Sequence, residues 1–116
     1  MIHITLPWPP SVNGYWRKWR GRMVISVEGR KYREAVIKHI WQQGMVKRYD
    51  CNLKVTIEAH RPDNRRRDLD NLLKSTLDSL QHADVFGDDN QIRDLRIYWS
   101  PEIGGMLKIT IEEITT

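Results

Sequence analysis

Residues 53–60, LKVTIEAH, alternate without a break: Leu53, Val55, Ile57 and Ala59 are apolar, and Lys54, Thr56, Glu58 and His60 are polar or charged. A period of two marks a strand with one face buried and the other wet. Such a strand obliges the chain to supply an apolar cover for the buried face. The period changes after a charged loop. Leu69, Leu72, Leu73, Leu77 and Leu80 recur at helical spacing and predict a helix over roughly 69–82.

The rest of the chain falls in around that pair. Ile2, Ile4 and Leu6 alternate with His3 and Thr5, a short strand ended by Pro7, Pro9 and Pro10. Residues 11–22, SVNGYWRKWRGR, read as a loop, and Met23 to Ser26 as a short extended piece. Ser26 is placed to cap a helix that presents Tyr32, Val36, Ile40 and Gln43 on one side and stops at Gly44. Ile92 to Trp99 alternates again through Leu95, Ile97 and Trp99. Gly104-Gly105 turns the chain into a last strand marked by Leu107, Ile109 and Ile111, and these two strands are expected to pair as a hairpin. The order β, loop, α, β, α, β, β predicts an α+β fold: a small mixed β-sheet with two helices packed on one face, in a single domain over residues 1–116.

Lys and Arg number 19 against 15 Asp and Glu, a net charge of +4 that favours a polyanionic partner, nucleic acid first. A single cysteine, Cys51, excludes an internal disulfide framework and a Cys-rich zinc site and fits a reducing, cytoplasmic setting. No apolar run is long enough to span a membrane, and MIHITLPWPP lacks the basic and apolar regions of a signal peptide.

The densest charge lies in RRRDLDNLLK, Arg65 to Lys74. Asp68 and Asp70 are two residues apart, roughly 200° around a regular helix, so they converge only if Asp68 lies just outside the helix in extended or capping geometry. Asp70 and Lys74 share a face at i, i+4. Asp88-Asp89 sits in a loop before the strand that starts near Ile92, and if that strand lies beside 53–60 the loop approaches the second helix. Three carboxylates brought together repel unless a cation neutralises them, and Mg²⁺ held by carboxylates, water and a substrate phosphate is a natural solution. Lys74 would add a point charge on the phosphate. Arg65, Arg66 and Arg67, with Arg61, would hold a phosphodiester backbone that the carboxylates alone repel. Asp88 is a second-rank ligand or orienting group.

Plainer readings stand beside these. Asp68 as a helix cap and Asp70–Lys74 as an exposed ion pair worth about 0.3–0.5 kcal/mol account for the same residues. Asp88-Asp89 also reads as a turn. The tryptophans of residues 15–22 suit a core as well as a nucleic-acid contact. His3, His39, His60 and His82 have no paired ligand spacing, and Cys51 reads as a structural thiol. A non-catalytic basic DNA-binding module and a metal-dependent nuclease for forks or flaps both remain open.

Four segments, LPWPPSVNGYW, GRKYREAV, RPDNRRRDLDNLLKSTLDSL and FGDDNQI, together resemble the RusA family of Holliday junction resolvases over nearly the whole chain. The resemblance implies a homodimeric, Mg²⁺-dependent endonuclease, found in bacteria and their phages, that cuts four-way DNA junctions by paired nicks. It implies a small mixed sheet with helices. It places the essential acidic residues at Asp68, Asp70 and Asp89 and the catalytic lysine at Lys74. The loop at 15–22 is richer in tryptophan than the family pattern.

Overall fold

The computed structural model describes residues 1–44 and 48–114. In chain order the elements are β1 (Ile2–Pro7), α1 (Val12–Tyr15), β2 (Trp16–Trp19), β3 (Arg22–Ile25), α2 (Val27–Gln42), β4 (Leu53–His60), α3 (Asp70–His82), a 3-10 turn (Asp89–Gln91), β5 (Ile92–Trp99) and β6 (Met106–Glu113). The strand with the strictest alternation, β4, is bonded on both edges, parallel to β5 and antiparallel to β6, and β1 completes a mixed sheet of order β1-β6-β4-β5.

Register keeps the apolar residues in phase across the sheet. Val55, Ile57 and Ala59 lie opposite Ile111, Ile109 and Leu107, which lie opposite Ile2, Ile4 and Leu6. Val36 and Ile40 of α2 and Leu72 and Leu80 of α3 are buried with this face in one core. Each fully buried Leu, Ile or Val contributes roughly 1.5–3 kcal/mol, so the covered face is the main stabilising feature. The fold is α+β with both long helices on one side of a mixed sheet, as the sequence predicts.

The expected hairpin between the last two strands is not formed: β6 lies on the far side of β4 from β5. The connection reaches this position by closing over the end of β4. Ser100 N–H donates to Ala59 O at 2.9 Å, and Gly105 N–H to His60 O at 2.8 Å. Gly105 makes the final turn with φ +70, where a side chain would be strained. Crossing one strand spans about 10 Å, well within the reach of residues 100–105. β5 therefore remains an edge strand, and Leu95, in register with Val55, is 41% exposed.

The segment 11–22, expected as a loop, contains α1 and the first strand of a separate two-stranded sheet, β2–β3. Ser26 caps α2 as expected, its Oγ accepting from Gly29 N–H at 2.9 Å. Gly29 is needed there, since a Cβ would fall 2.5 Å from the Tyr15 carbonyl oxygen. At the other end, Gln43 pairs its amide with both backbone groups of Thr5, at 2.8 and 2.9 Å, and covers part of the β1 edge.

Candidate active site

The buried face of α3 keeps most of the expected leucine stripe, with Leu69 and Leu73 packed against the core, but it is widened by three hydroxyl residues, and Leu77 falls outside it. Leu72, Ser75, Thr76, Ser79 and Leu80 are buried. The hydroxyls satisfy themselves inside: Thr76 Oγ1 donates to Leu72 O at 2.7 Å, and Ser79 Oγ lies 3.3 Å from the Tyr15 hydroxyl. The neighbouring stripe of the helix faces outward. Asp70, Leu73, Lys74, Leu77, Asp78 and Gln81 line a cleft of about 430 Å³, together with Trp16 and Asp89. Three of the residues singled out from sequence, Asp70, Lys74 and Asp89, thus share one cleft.

Each is held differently. Asp70 opens α3, where a carboxylate meets the positive end of the helix dipole. Asp70 and Lys74 form no ion pair among the described residues; Lys74 Nζ instead lies 6.0 Å from the centre of the Trp16 ring. Asp89 begins the 3-10 turn, with its N–H donating to Gln81 Oε1 at 3.2 Å. Neither the Asp70 nor the Asp89 carboxylate has a hydrogen bond or ion pair among the described residues, and both are exposed. Asp88 is a cap: its Oδ1 accepts from Asn90 N–H at 2.9 Å.

Asp78, deeper in the stripe, is already neutralised. Arg33 Nη2 donates to it at 2.7 Å, and the Tyr15 hydroxyl donates to the same oxygen. Burial and the neighbouring Asp78 push the Tyr15 hydroxyl up. Burial pulls the Arg33 guanidinium down, but its hydrogen bonds to Asp78 and Tyr15 outweigh this and leave it raised.

Asp68 lies on another side of the helix start. It lines a second cleft, of about 560 Å³, with Trp8, Pro9, Ser11, Arg66, Arg67, Asn71 and Leu72. It sits outside the helix, as expected, but does not cap it: Leu69 holds the cap position without a side-chain bond. The predicted meeting of three carboxylates is not formed. Among the described residues no three His, Cys, Asp or Glu side chains are grouped to hold a metal ion. The reason is placement. Asp70 is in the first turn of α3, whereas Asp89 is tied through its N–H to the Gln81 side chain in the last, so the two approach the cleft from opposite ends of the helix.

The arginines divide in the same way. Arg67 is committed to the protein: Nη1 lies 2.7 Å from Asp63 Oδ1, and its guanidinium sits 5.7 Å from the centre of the Trp8 ring. Arg65 is exposed and loosely paired with Asp63 at 3.7 Å. Arg66 is exposed on the rim of the second cleft and has no ion pair among the described residues.

The family model for endodeoxyribonuclease RusA matches residues 7–112. The chain belongs to the RusA family. It is 47% identical over 113 residues to the crossover junction endodeoxyribonuclease of Enterobacteria phage 82, covering 97% of this chain and 94% of that protein. It is 46% identical over 112 residues to the proteins of the same name from Shigella sonnei strain Ss046 and Escherichia coli K12, covering 96% of this chain and 93% of each.

Within this RusA-family chain, two bracing residues were not found from sequence. Gln91 makes four backbone bonds: Oε1 accepts from Gly87 and Asp88 N–H at 2.9 and 3.0 Å, and Nε2 donates to Tyr49 O and Cys51 O, both at 2.9 Å. It fixes the turn that carries Asp89. The available signal was a glutamine three residues after Asp88, the capping-box spacing, which the structure completes. The second is Asp78. The available signal was its position eight residues after Asp70, on the same helical face.

Proposed function

We propose that this chain is a divalent-metal-dependent, structure-selective endodeoxyribonuclease that resolves four-way DNA junctions by paired nicks, acting as a homodimer in a bacterial cytoplasm. The observation that carries the reading is one open cleft that gathers Asp70 and Lys74 of α3 with Asp89 of the 3-10 turn, both carboxylates without a partner among the described residues. The name shared by the relatives supplies the junction as substrate.

The donor set suits Mg²⁺, which takes one or two carboxylates and fills its other positions with water and substrate phosphate. Asp70 and Asp89 are hard oxygen donors, open to solvent and without a partner among the described residues, and they are the residues that would hold it, with Asp68 the third acidic group at the helix start. A bound divalent ion supplies charge neutralisation and a more acidic water. Lys74 holds a positive charge one helical turn from Asp70 and stabilises the phosphate as negative charge builds on it. Arg66 and Arg65 bind the backbone on either side.

Within one chain Asp70 and Asp89 enter the cleft from opposite ends of α3, and among the described residues no third acidic side chain joins them. A second copy with its own α3 running the opposite way would bring one end of each stripe to the other. A two-fold pair also matches the symmetry of a four-way junction, with one cut per subunit.

The test compares a labelled four-way junction, a fork, a flap and linear duplex at one salt concentration, with Mg²⁺ and with EDTA. The reading expects symmetric paired nicks in the junction, only with Mg²⁺. Preferred cutting of forks or flaps would reassign the substrate. Junction binding with no cutting of any DNA would make the chain a binding module.

A further inference from the structure

The β2–β3 hairpin packs on the main core only at its root, through Trp16 and Ile25, yet the rest of it is built with care. Trp16, Arg17, Lys18 and Trp19 pair with Ile25, Val24, Met23 and Arg22. Arg20 and Gly21 turn the chain with φ 48 and φ 76, both positive as a tight two-residue hairpin requires. Placing an arginine rather than a second glycine at such a position is costly. It holds a guanidinium at the tip. Residues 16–25 carry Arg17, Lys18, Arg20 and Arg22 and no acid.

The root of the hairpin is fixed and the tip is not covered. Ser26 N–H donates to Tyr15 O at 2.9 Å, and Tyr15 is itself buried against Asp78, Arg33 and Ser79. Trp16 lines the cleft that contains Asp70 and Lys74. Trp19, at the far end, is 48% exposed, with the guanidiniums of Arg17 and Arg20 at 5.3 and 5.5 Å from its ring centre. An isolated two-stranded hairpin gains little from an exposed indole, and four cations without an acid repel one another. Both features are relieved by a polyanion that also offers a flat π face.

We propose that this hairpin is a stacking arm, in which Trp19 packs on a base face exposed at a DNA branch point while Arg17, Arg20 and Arg22 hold the adjoining phosphates. The proposal rests on the junction-nuclease reading and adds to it a means of telling a junction from duplex. The interior of a linear duplex offers phosphates but no open base face. A branch point offers both. Base–aromatic stacking tolerates any sequence, because every base has a π face.

The test uses a four-way junction with 2-aminopurine beside the branch point and a linear duplex of equal length, both in Ca²⁺ to prevent cutting. The unmodified chain, Trp19→Ala and Trp19→Phe are compared by affinity and by 2-aminopurine fluorescence. The stacking arm predicts that Trp19→Ala weakens junction binding about ten-fold, leaves duplex binding unchanged and abolishes the fluorescence change. Trp19→Phe should recover most of both. Wild-type junction affinity and fluorescence response in Trp19→Ala would overturn the proposal. So would an equal loss on junction and duplex, which would reduce the hairpin to a phosphate contact. Circular dichroism checks that the variants are folded. If the unmodified chain neither prefers nor cuts the junction in Mg²⁺, the underlying reading fails and the arm fails with it.

Discussion

Two loops frame α3, and each is braced by one of its own side chains. The loop leading in, residues 61–69, is closed by Asp63, which accepts from Arg65 N–H at 2.9 Å and from Arg67 Nη1 at 2.7 Å. The loop leading out, residues 83–91, is closed by Gln91 through four bonds to backbone groups. The first brace is charged and local. It fixes the loop by consuming the charge of Arg67, one of the four arginines in the loop. The second is neutral and reaches across to the chain before β4. It fixes the turn and leaves the Asp89 carboxylate without a partner among the described residues. A loop that must deliver a negative charge is better held by an amide, whereas a loop rich in arginine can spare one.

The sharpest way to break this comparison is to remove the amide. Gln91→Ala removes four side-chain-to-backbone hydrogen bonds at once, and should cost about 2 kcal/mol of stability, read from denaturant unfolding. It should also lower junction cleavage more than ten-fold at a temperature where the variant is still folded. Gln91→Glu keeps the acceptors but faces two carbonyls with a carboxylate, and should be intermediate in stability. Lost stability with an unchanged rate would mean that the brace does not position Asp89.

A smaller effect separates the arginines. Arg66→Ala should flatten the slope of log affinity against log salt by about one, the signature of one phosphate contact. Arg67→Ala should leave the slope nearly unchanged and lower thermal stability instead, because its charge is spent on Asp63. Equal slopes for both variants would erase the distinction between a free and a committed arginine.

The smallest effect is in acid. The hydrogen bonds from Arg67 and from the Arg65 backbone hold the Asp63 carboxyl down at about 2, from an ordinary 3.8. A folded-state value below the unfolded one means the brace contributes its stability above the unfolded value and loses it as pH falls through about 2. A carboxyl resonance titrating near 2 by NMR, and an acid limb made flatter in Asp63→Asn between about pH 4 and 2, would bear this out. A resonance titrating near 4 would mean that the clamp is open in solution.

What could be read in the sequence was what a local period determines. The alternation of Leu53 to His60 marks a strand and its two faces, except that His60 at its end is buried, and the i, i+4 spacing places Asp70 and Lys74 on one cleft. Sheet order was not legible, because alternation reports the face of a residue and not its neighbouring strand. β5 and β6 looked like a hairpin and are separated by β4. The full width of the buried face of α3 is not legible, because Ser75, Thr76 and Ser79 are polar in the sequence but find hydroxyl partners inside the core, within the helix and at Pro10 and Tyr15. Leu77 lies instead on the cleft with Asp70. The expected convergence of Asp68, Asp70 and Asp89 assumed that a turn beside β4 lies near the helix start, whereas it lies near the helix end.

The central claim is that the open carboxylates of the α3 cleft cut DNA and do not merely solvate the surface. Asp70→Asn tests it most directly, since the amide is nearly isosteric and removes only the charge. On one four-way junction, affinity is measured in EDTA and cleavage in Mg²⁺. The account predicts unchanged or tighter binding, because repulsion of the phosphates is removed, together with loss of cleavage. Cleavage at the rate of the unmodified chain would contradict it.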